Sequence, residues 1–320
     1  MFDKKVLSDG LAKRAQLLKS QDCLRLFDGL GEGFRGLVID KLSDVAVVHG
    51  YSELVTRDFV VSNLVEPLQP LAKTIYLWPR SRDNDSRTRQ AELIFGPAKP
   101  EFTVEVDGIK HIVRPERLPQ AGIFLDSSPV RSFISEIKVK GRVINTFAYT
   151  GSLGIAAHMA GAAEVIQLDS NSAILAWAKE NFELNKISDG GIMRFIEDDV
   201  LGFLEKEARR IETGKRGFCD LIILDPPTIG RSDRGLFKVH HDLPELIELA
   251  SRGIERGGYL IITLNAPDLS AETIEIYLDK VLGHSERQFE ILRSFSADPL
   301  QYPTHLVESS VMRGLALKVL

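Results

Sequence analysis

Two patterns of apolar residues divide this chain. From Arg142 onward, short aliphatic runs alternate with stretches whose apolar positions recur every three or four residues. RVINTFAY, EVIQLD, MRFIEDD, CDLIILDP and YLIITLNA read as strands. A short segment after Gly151, then NSAILAWAKENFELNK, VLGFLEKEARRIE, VHHDLPELIELASRGIE and LSAETIEIYLDKVL, read as helices. Repeated strand–helix units with apolar strands predict a parallel sheet covered on both faces. FEILRSFSA and VMRGLALKVL close the chain as two further strands, an antiparallel pair at the edge. The expected core fold is α/β and doubly wound.

Ahead of Arg142 the pattern is mixed. Leu7, Leu11, Ala15 and Leu18 recur at helical spacing among basic residues, which fits a packing helix or an RNA-contacting arm. LRLFDG and GLVIDKLSDVAVVHGY, broken at Lys41–Asp44, read as strands, followed by a helix around Val55–Leu68 and the strand TIYLWPR. RSRDNDSRTRQ carries Arg80, Arg82, Arg87 and Arg89 diluted by Asp83 and Asp85; it reads as a solvated loop or a phosphate-contacting one. FTVEVDGIKHIVRP alternates across Asp107-Gly108, a hairpin signal. The expected division is a smaller α+β domain over residues 1–118, serving substrate recognition, and a catalytic domain over 119–320.

Composition narrows the classes. With 320 residues, 44% hydrophobic and 27% charged, the chain has material for two domains. A net charge of -5 means that any nucleic-acid contact comes from a local patch. The 2 cysteines, Cys23 and Cys219, build neither a disulfide framework nor a zinc knuckle, and no metal is expected. The start of the chain lacks the apolar core of a signal peptide, and no run is long and apolar enough for a membrane span, so a cytoplasmic enzyme without membrane contact is expected. Oligomeric state stays open.

In a doubly wound sheet, ligands bind at the carboxyl ends of the strands. The first strand runs into NTFAYTGSLG, a turn with Gly151 and Gly154 that opens a helix. The second ends at Asp169, at about the twenty-residue distance where an acid holds a ribose hydroxyl pair. The third ends in Glu197-Asp198-Asp199, the fourth in Asp225-Pro226-Pro227-Thr228, the fifth in Asn265. Leu153 stands where a dinucleotide fingerprint has its second glycine, the one that admits a pyrophosphate. A nucleoside carrying a sulfonium instead of phosphates needs no such glycine, and carboxylates suit its positive charge. The two prolines lack N–H groups and restrict φ, so the fourth strand ends in a stiff turn that offers carbonyls to a flat nitrogenous base.

On GIFLDSSPVR, NTFAYTGSLG, IEDDV and MRGLALKV the chain resembles the cytosine-C5 enzymes among class I S-adenosylmethionine-dependent methyltransferases of large-subunit ribosomal RNA. On NTFAYTGS, DPPT and Asn265 it is similar to the guanine-N7 enzymes, and GFRGLVIDKLSD looks like their small α/β domain. The resemblance runs from about residue 20 onward and implies a seven-stranded Rossmann-like sheet, S-adenosyl-L-methionine as cofactor and ribosomal RNA as partner. It places Phe147, Ala148, Tyr149, Thr150 and Gly151 at the methionine part, Asp169 at the ribose and Asp199 at the adenine amine. Ser152, Ser170, Asp198, Val200 and Asp225 join them as cofactor residues. Phe124 and Asp126 would cap the methionine end, with helix capping the alternative for Asp126. Asp225, Pro226, Pro227, Thr228 and Asn265 form the catalytic pocket for the target base.

Three departures matter. Cytosine-C5 methylation needs a thiolate that adds to the ring, and Thr228 and Asn265 stand where those enzymes place it. Cys219 begins the fourth strand, at the opposite edge, which favours a base nitrogen over cytosine C5. LPQAG replaces a lysine-containing run, and the amino-terminal RNA-binding module of many relatives is expected to be missing. The alternatives are a methyltransferase of a small molecule or protein with the first domain as a lid, a non-catalytic module, and, more distantly, a nicotinamide enzyme. Among the histidines, His305 is the candidate for reaching the site, while His158, His240 and His241 read as packed or solvated and Trp177 as core.

Overall fold

Strand β1 (Cys23–Asp28), β2 (Leu37–Leu42), β3 (Val45–Gly50), β4 (Thr74–Pro79) and β5 (Glu92–Phe95) pair in chain order. Only β3 and β4 run parallel, so their connection needs a crossover, and helices Arg57–Asn63 and Val65–Leu68 supply it. The single helix expected there is two. Pro67 cannot coexist with an uninterrupted helix, because its ring meets the carbonyl four residues back, at Asn63. The computed structural model describes residues 2–79, 90–187, 193–232, 235–266, 269, 271–282, 288–303 and 312–320. The arginine-rich stretch from Arg80 to Arg89 and His305 lie outside the described residues.

The chain divides into two units, Met1–Asp126 with Asp298–Ser309 and Ser127–Ala297 with Ser310–Leu320. In the first, the hairpin of β6 (Phe102–Val106) and β7 (Ile109–Val113) turns on Asp107 and Gly108, both left-handed at φ 53° and 75°; a two-residue type I′ turn needs that pair. The helix Lys4–Lys13 departs from the apolar spacing, for Arg14 is buried and Ala15 exposed. Arg14 reaches the carbonyls of Gly10 (2.9 Å), Arg25 (2.7 Å) and Gln301 (2.9 Å) and the Glu32 carboxylate (2.7 Å). Four acceptors outweigh the burial of an alanine methyl, and the helix ends there.

The second unit is built on β8 (Arg142–Thr146), β9 (Glu164–Asp169), β10 (Met193–Glu197), β11 (Cys219–Leu224), the hairpin β12 (Ile229–Ser232) and β13 (Gly235–Lys238), then β14 (Ile254–Leu264), β15 (Phe289–Ser296) and β16 (Arg313–Val319). Its seven-stranded sheet has the order β10-β9-β8-β11-β14-β16-β15. The first five strands are parallel, while β16 runs antiparallel to β14 and β15. This is the doubly wound, mostly parallel Rossmann-like sheet that the alternating pattern predicts, with its antiparallel edge pair.

Helices Val200–Glu212, Val239–Gly253 and Ala271–Leu282 pack into one core with Ile144, Ile166, Ile222, Leu260 and Leu315 of the sheet. Helix Ser152–Met159 packs on β8 and β9, and helix Ser172–Leu184 on β9 and β10. Gly154 lets the first of these lie close, since a Cβ there would stand 1.5 Å from the Gln167 amide nitrogen. Trp177 is buried, as its apolar spacing predicts. Among the described residues no helix is long and apolar enough to cross a membrane.

Candidate functional site

Strand register puts the candidate residues in one row. Thr146 stands opposite both Leu168 and Leu224, Leu224 opposite Ile262, and Asp169 opposite Glu197. The residues that follow each strand, Phe147, Ser170, Asp198 and Asp225, therefore leave the sheet along a single rim. Chain order reverses between the neighbours β8 and β11, so the crevice of a doubly wound sheet opens there.

The turn after β8 is held in an unusual conformation. Phe147 and Tyr149 have φ of 52° and 49°, and Gly151 has 87°. For the two aromatic residues this left-handed backbone costs about 1–2 kcal/mol each. Neighbouring strands and helices impose it. The Ala148 N–H donates to the Leu168 carbonyl (3.0 Å), the Tyr149 N–H to Asp169 Oδ2 (3.0 Å) and the Asn181 amide to the Thr150 carbonyl (2.9 Å). At Gly151 a Cβ would come within 3.0 Å of the Phe182 ring. Strain that the surrounding fold over-determines clusters at functional sites. Asn181 escapes the sequence reading, although a polar residue on the apolar face of helix Ser172–Leu184 is a usable signal.

Asp169 closes β9 half-buried. Its Oδ2 takes the Tyr149 N–H and its Oδ1 takes the Asn171 N–H, at 3.0 Å each. Burial raises its pKa above the usual value, against the lowering effect of the N–H groups of Tyr149, Asn171 and Ser170. Asp198 accepts from the Asp199 N–H (2.9 Å) and from Lys206 (3.1 Å). Asp199 caps helix Val200–Glu212 through Oδ1 and the Gly202 N–H (2.9 Å), and Val200 is buried as its first residue.

On the other side of the reversal, Asp225 Oδ1 accepts the Thr263 hydroxyl at 2.6 Å. Pro226 is buried and Pro227 exposed, while the Thr228 hydroxyl lies 3.4 Å from the Asn265 carbonyl. Thr263 was not singled out from sequence, and only the pairing of β11 with β14 brings it to Asp225. The hairpin β12–β13 is also absent from the sequence reading. Its Phe237 is buried and meets the Phe147 ring at 5.7 Å, a pairing worth about 1 kcal/mol beyond area. Ile229 and Leu236 on the same hairpin are 63% and 61% exposed.

Phe124 and Asp126 belong to the first unit; the N-cap of helix Ser128–Glu136 is Ser127, not Asp126. Cys219 opens β11, five residues from Leu224, or about 17 Å along a strand. Burial pushes its thiol up to about 12 and that of Cys23 up to about 11. His240 and His241 are exposed at the start of helix Val239–Gly253. Among the described residues no cluster of His, Cys, Asp and Glu could hold a metal ion.

Known proteins resemble this chain over most of its length. Ribosomal RNA large subunit methyltransferase I of Cronobacter sakazakii is 27% identical over 315 residues, covering 97% of this chain and 76% of that protein. Ribosomal RNA large subunit methyltransferase K/L of Chromohalobacter salexigens is 30% identical over 251 residues, covering 76% of this chain. The chain spans only 33% of that longer relative. A solved structure named as a methyltransferase complexed with SAH, S-adenosylhomocysteine, superposes with a TM-score of 0.85 at 24% identity, covering 98% of this chain and 80% of that one, which shows a shared fold. The family model of S-adenosylmethionine-dependent methyltransferases matches residues 83–282, more than half of the sequence. The turn after β8, the acid closing β9 and the proline-stiffened end of β11 all fall inside that match, and the chain belongs to the S-adenosylmethionine-dependent methyltransferase family.

Proposed function

We propose that this enzyme methylates a base nitrogen of ribosomal RNA. Its cofactor is S-adenosyl-L-methionine, and the donor set of the rim suits that molecule. It brings two ribose hydroxyls, an adenine amine and a sulfonium, all partners for carboxylates, and the rim supplies Asp169, Asp198, Asp199 and Asp225. Asp169 holds the ribose hydroxyls, Asp199 and Asp198 face the adenine, and Phe147 to Ser152 wrap the methionine part. Ser170 and Val200 complete the wall beside the nucleoside.

Bound S-adenosylmethionine supplies an electrophilic methyl group. The protein's task is alignment, since a ring or exocyclic nitrogen attacks with its own lone pair and needs no covalent step. Asp225, Pro226, Pro227 and Thr228 hold the flat base, with Asn265 behind Thr228 and Thr263 fixing the Asp225 carboxylate. One observation carries the choice of nitrogen: the rim presents no thiol, for Cys219 is buried at the far end of β11 and kept protonated. The names of the relatives support ribosomal RNA over a small molecule. So does the hairpin beside the pocket, where Ile229 and Leu236 are exposed and Ile229 stands opposite Lys238 in register: apolar surface for a neighbouring base and a cation for phosphates.

Transfer of labelled methyl to ribosomal RNA from undermodified cells, followed by nucleoside analysis, tests this reading. A base methylated on nitrogen is expected. Label in 5-methylcytosine would overturn the choice of atom, and label only in protein or small molecules the choice of substrate.

A further inference from the structure

Around the proline turn, the hydroxyl donors are engaged. Thr263 gives its hydroxyl to Asp225 (2.6 Å), and Thr228 points its own at the backbone carbonyl of Asn265 (3.4 Å). Asn265, the first residue beyond β14, is different. Its side-chain oxygen is buried and accepts no hydrogen bond among the described residues. The turn beside it has little to offer, because Pro226 and Pro227 carry no N–H. A buried acceptor without a donor is unfavourable where an apolar side chain of the same shape would not be, so each such group in a native protein calls for an explanation. Asn265 as a whole is half-buried, which sets that oxygen at the margin of the core, on the rim that a docking base approaches.

We propose that Asn265 is a specificity-determining residue whose side-chain oxygen accepts an N–H from an exocyclic amino group of the target base. The inference rests on the reading of Asp225–Thr228 as the base pocket and on methylation of a base nitrogen. An amide oxygen accepts a hydrogen bond but does not take up the proton at neutral pH, so it holds an N–H without removing it. Adenine, guanine and cytosine each carry an amino group. Uracil in RNA offers a single N–H, on the ring nitrogen that would itself be attacked, and an amide cannot carry that proton away. The orphaned oxygen therefore selects amino-bearing bases over uracil. A site that supplies a hydrogen-bonding partner discriminates strongly against a base lacking its counterpart, because the protein group then stays unpaired.

The test combines methyl transfer to RNA, cofactor calorimetry and thermal melts on Asn265→Leu, Asn265→Ala and Asn265→Asp. Asn265→Leu is expected to lower kcat/KM for RNA by about 10–100-fold, the worth of one hydrogen bond made to the substrate. Cofactor affinity stays, and the unfolding midpoint is unchanged or higher, since the side-chain oxygen has no bond to lose. Asn265→Ala follows the same direction without the bulk of leucine, and Asn265→Asp, which keeps an acceptor, retains more transfer than either. A lower midpoint in both apolar variants, with transfer per folded molecule unchanged, would make Asn265 a packing residue and overturn the inference. Nucleoside analysis of the wild-type product separates the two readings. N-methylated adenine, guanine or cytosine supports the role of Asn265. 3-Methyluridine would overturn that role and leave the base-nitrogen reading standing, whereas 5-methylcytosine, or label in protein alone, would overturn both.

Discussion

Both units hold a half-buried aspartate, and the two are treated in opposite ways. In the first unit Asp40 meets Arg25 through two bonds, Nε to Oδ1 at 2.9 Å and Nη2 to Oδ2 at 3.2 Å, and the His49 ring at 3.2 Å. Although burial opposes it, the charge of Arg25 and the bond to His49 hold the Asp40 carboxyl well below the usual range. Arg25 also bonds Asp28 (3.2 Å) and lies over the Tyr302 ring at 4.5 Å. In the second unit Asp169 is held by backbone N–H groups, and burial wins, raising its pKa. A carboxylate matched to a cation is a strut. One that is aimed by the backbone at a strand end and kept costly to ionise is, on the proposed assignment, a receptor whose favourable partner arrives with the ligand.

Four experiments bear on that contrast. Asp225→Ala is expected to lower methyl transfer by about 100-fold or more, the cost of a misplaced reactant, while calorimetry finds cofactor affinity largely intact. Weak cofactor binding with normal turnover would reverse the assignment. Arg25→Met leaves Asp40 buried without its main cation and should cost about 3–5 kcal/mol of stability in urea unfolding; near-neutral behaviour would mean that the strut bears nothing. Asp169→Ala should weaken cofactor binding by about 1–3 kcal/mol with less loss of stability than Arg25→Met, and equal destabilisation would erase the difference between the two sites.

The smallest effect is in titration. A raised pKa means that Asp169 favours folding in its protonated form, a contribution present at low pH and lost as pH rises through the folded value. The depressed pKa of Asp40 works the other way, its contribution holding at neutral pH and failing only as pH falls below the ordinary aspartate value of about 3.9. Carbon NMR should therefore find Asp169 protonating first on acidification, with cofactor affinity falling before the fold loosens. If Asp40 protonated first, the comparison would be wrong at its root.

The parallel sheet was legible because its strands carry aliphatic runs and are separated by amphipathic helices; βαβ units leave one handed way to close. Asp169, Asp199 and Asp225 were legible because each ends such a strand. Arg14 was not, because its acceptors come from Gly10, Arg25, Glu32 and Gln301, and no periodicity announces a tertiary bond. Hairpin β12–β13 was missed because its strands are four residues each, too short for alternation to register. Thr263 and Asn181 are ordinary polar residues until the fold sets them against Asp225 and the Thr150 carbonyl.

By itself, then, the amino-acid order determined the alternation of strands and helices and the chemistry waiting at each strand's end, for both are written in local periodicity and in residue type. Tertiary structure decided which of those groups act together. Strand order sets β11 beside β8 rather than after β10, and distant contacts force Phe147 and Tyr149 into backbone they would not adopt alone. The reason is physical: burial and pairing across the sheet depend on partners far along the chain, and only the closed fold brings those partners within reach.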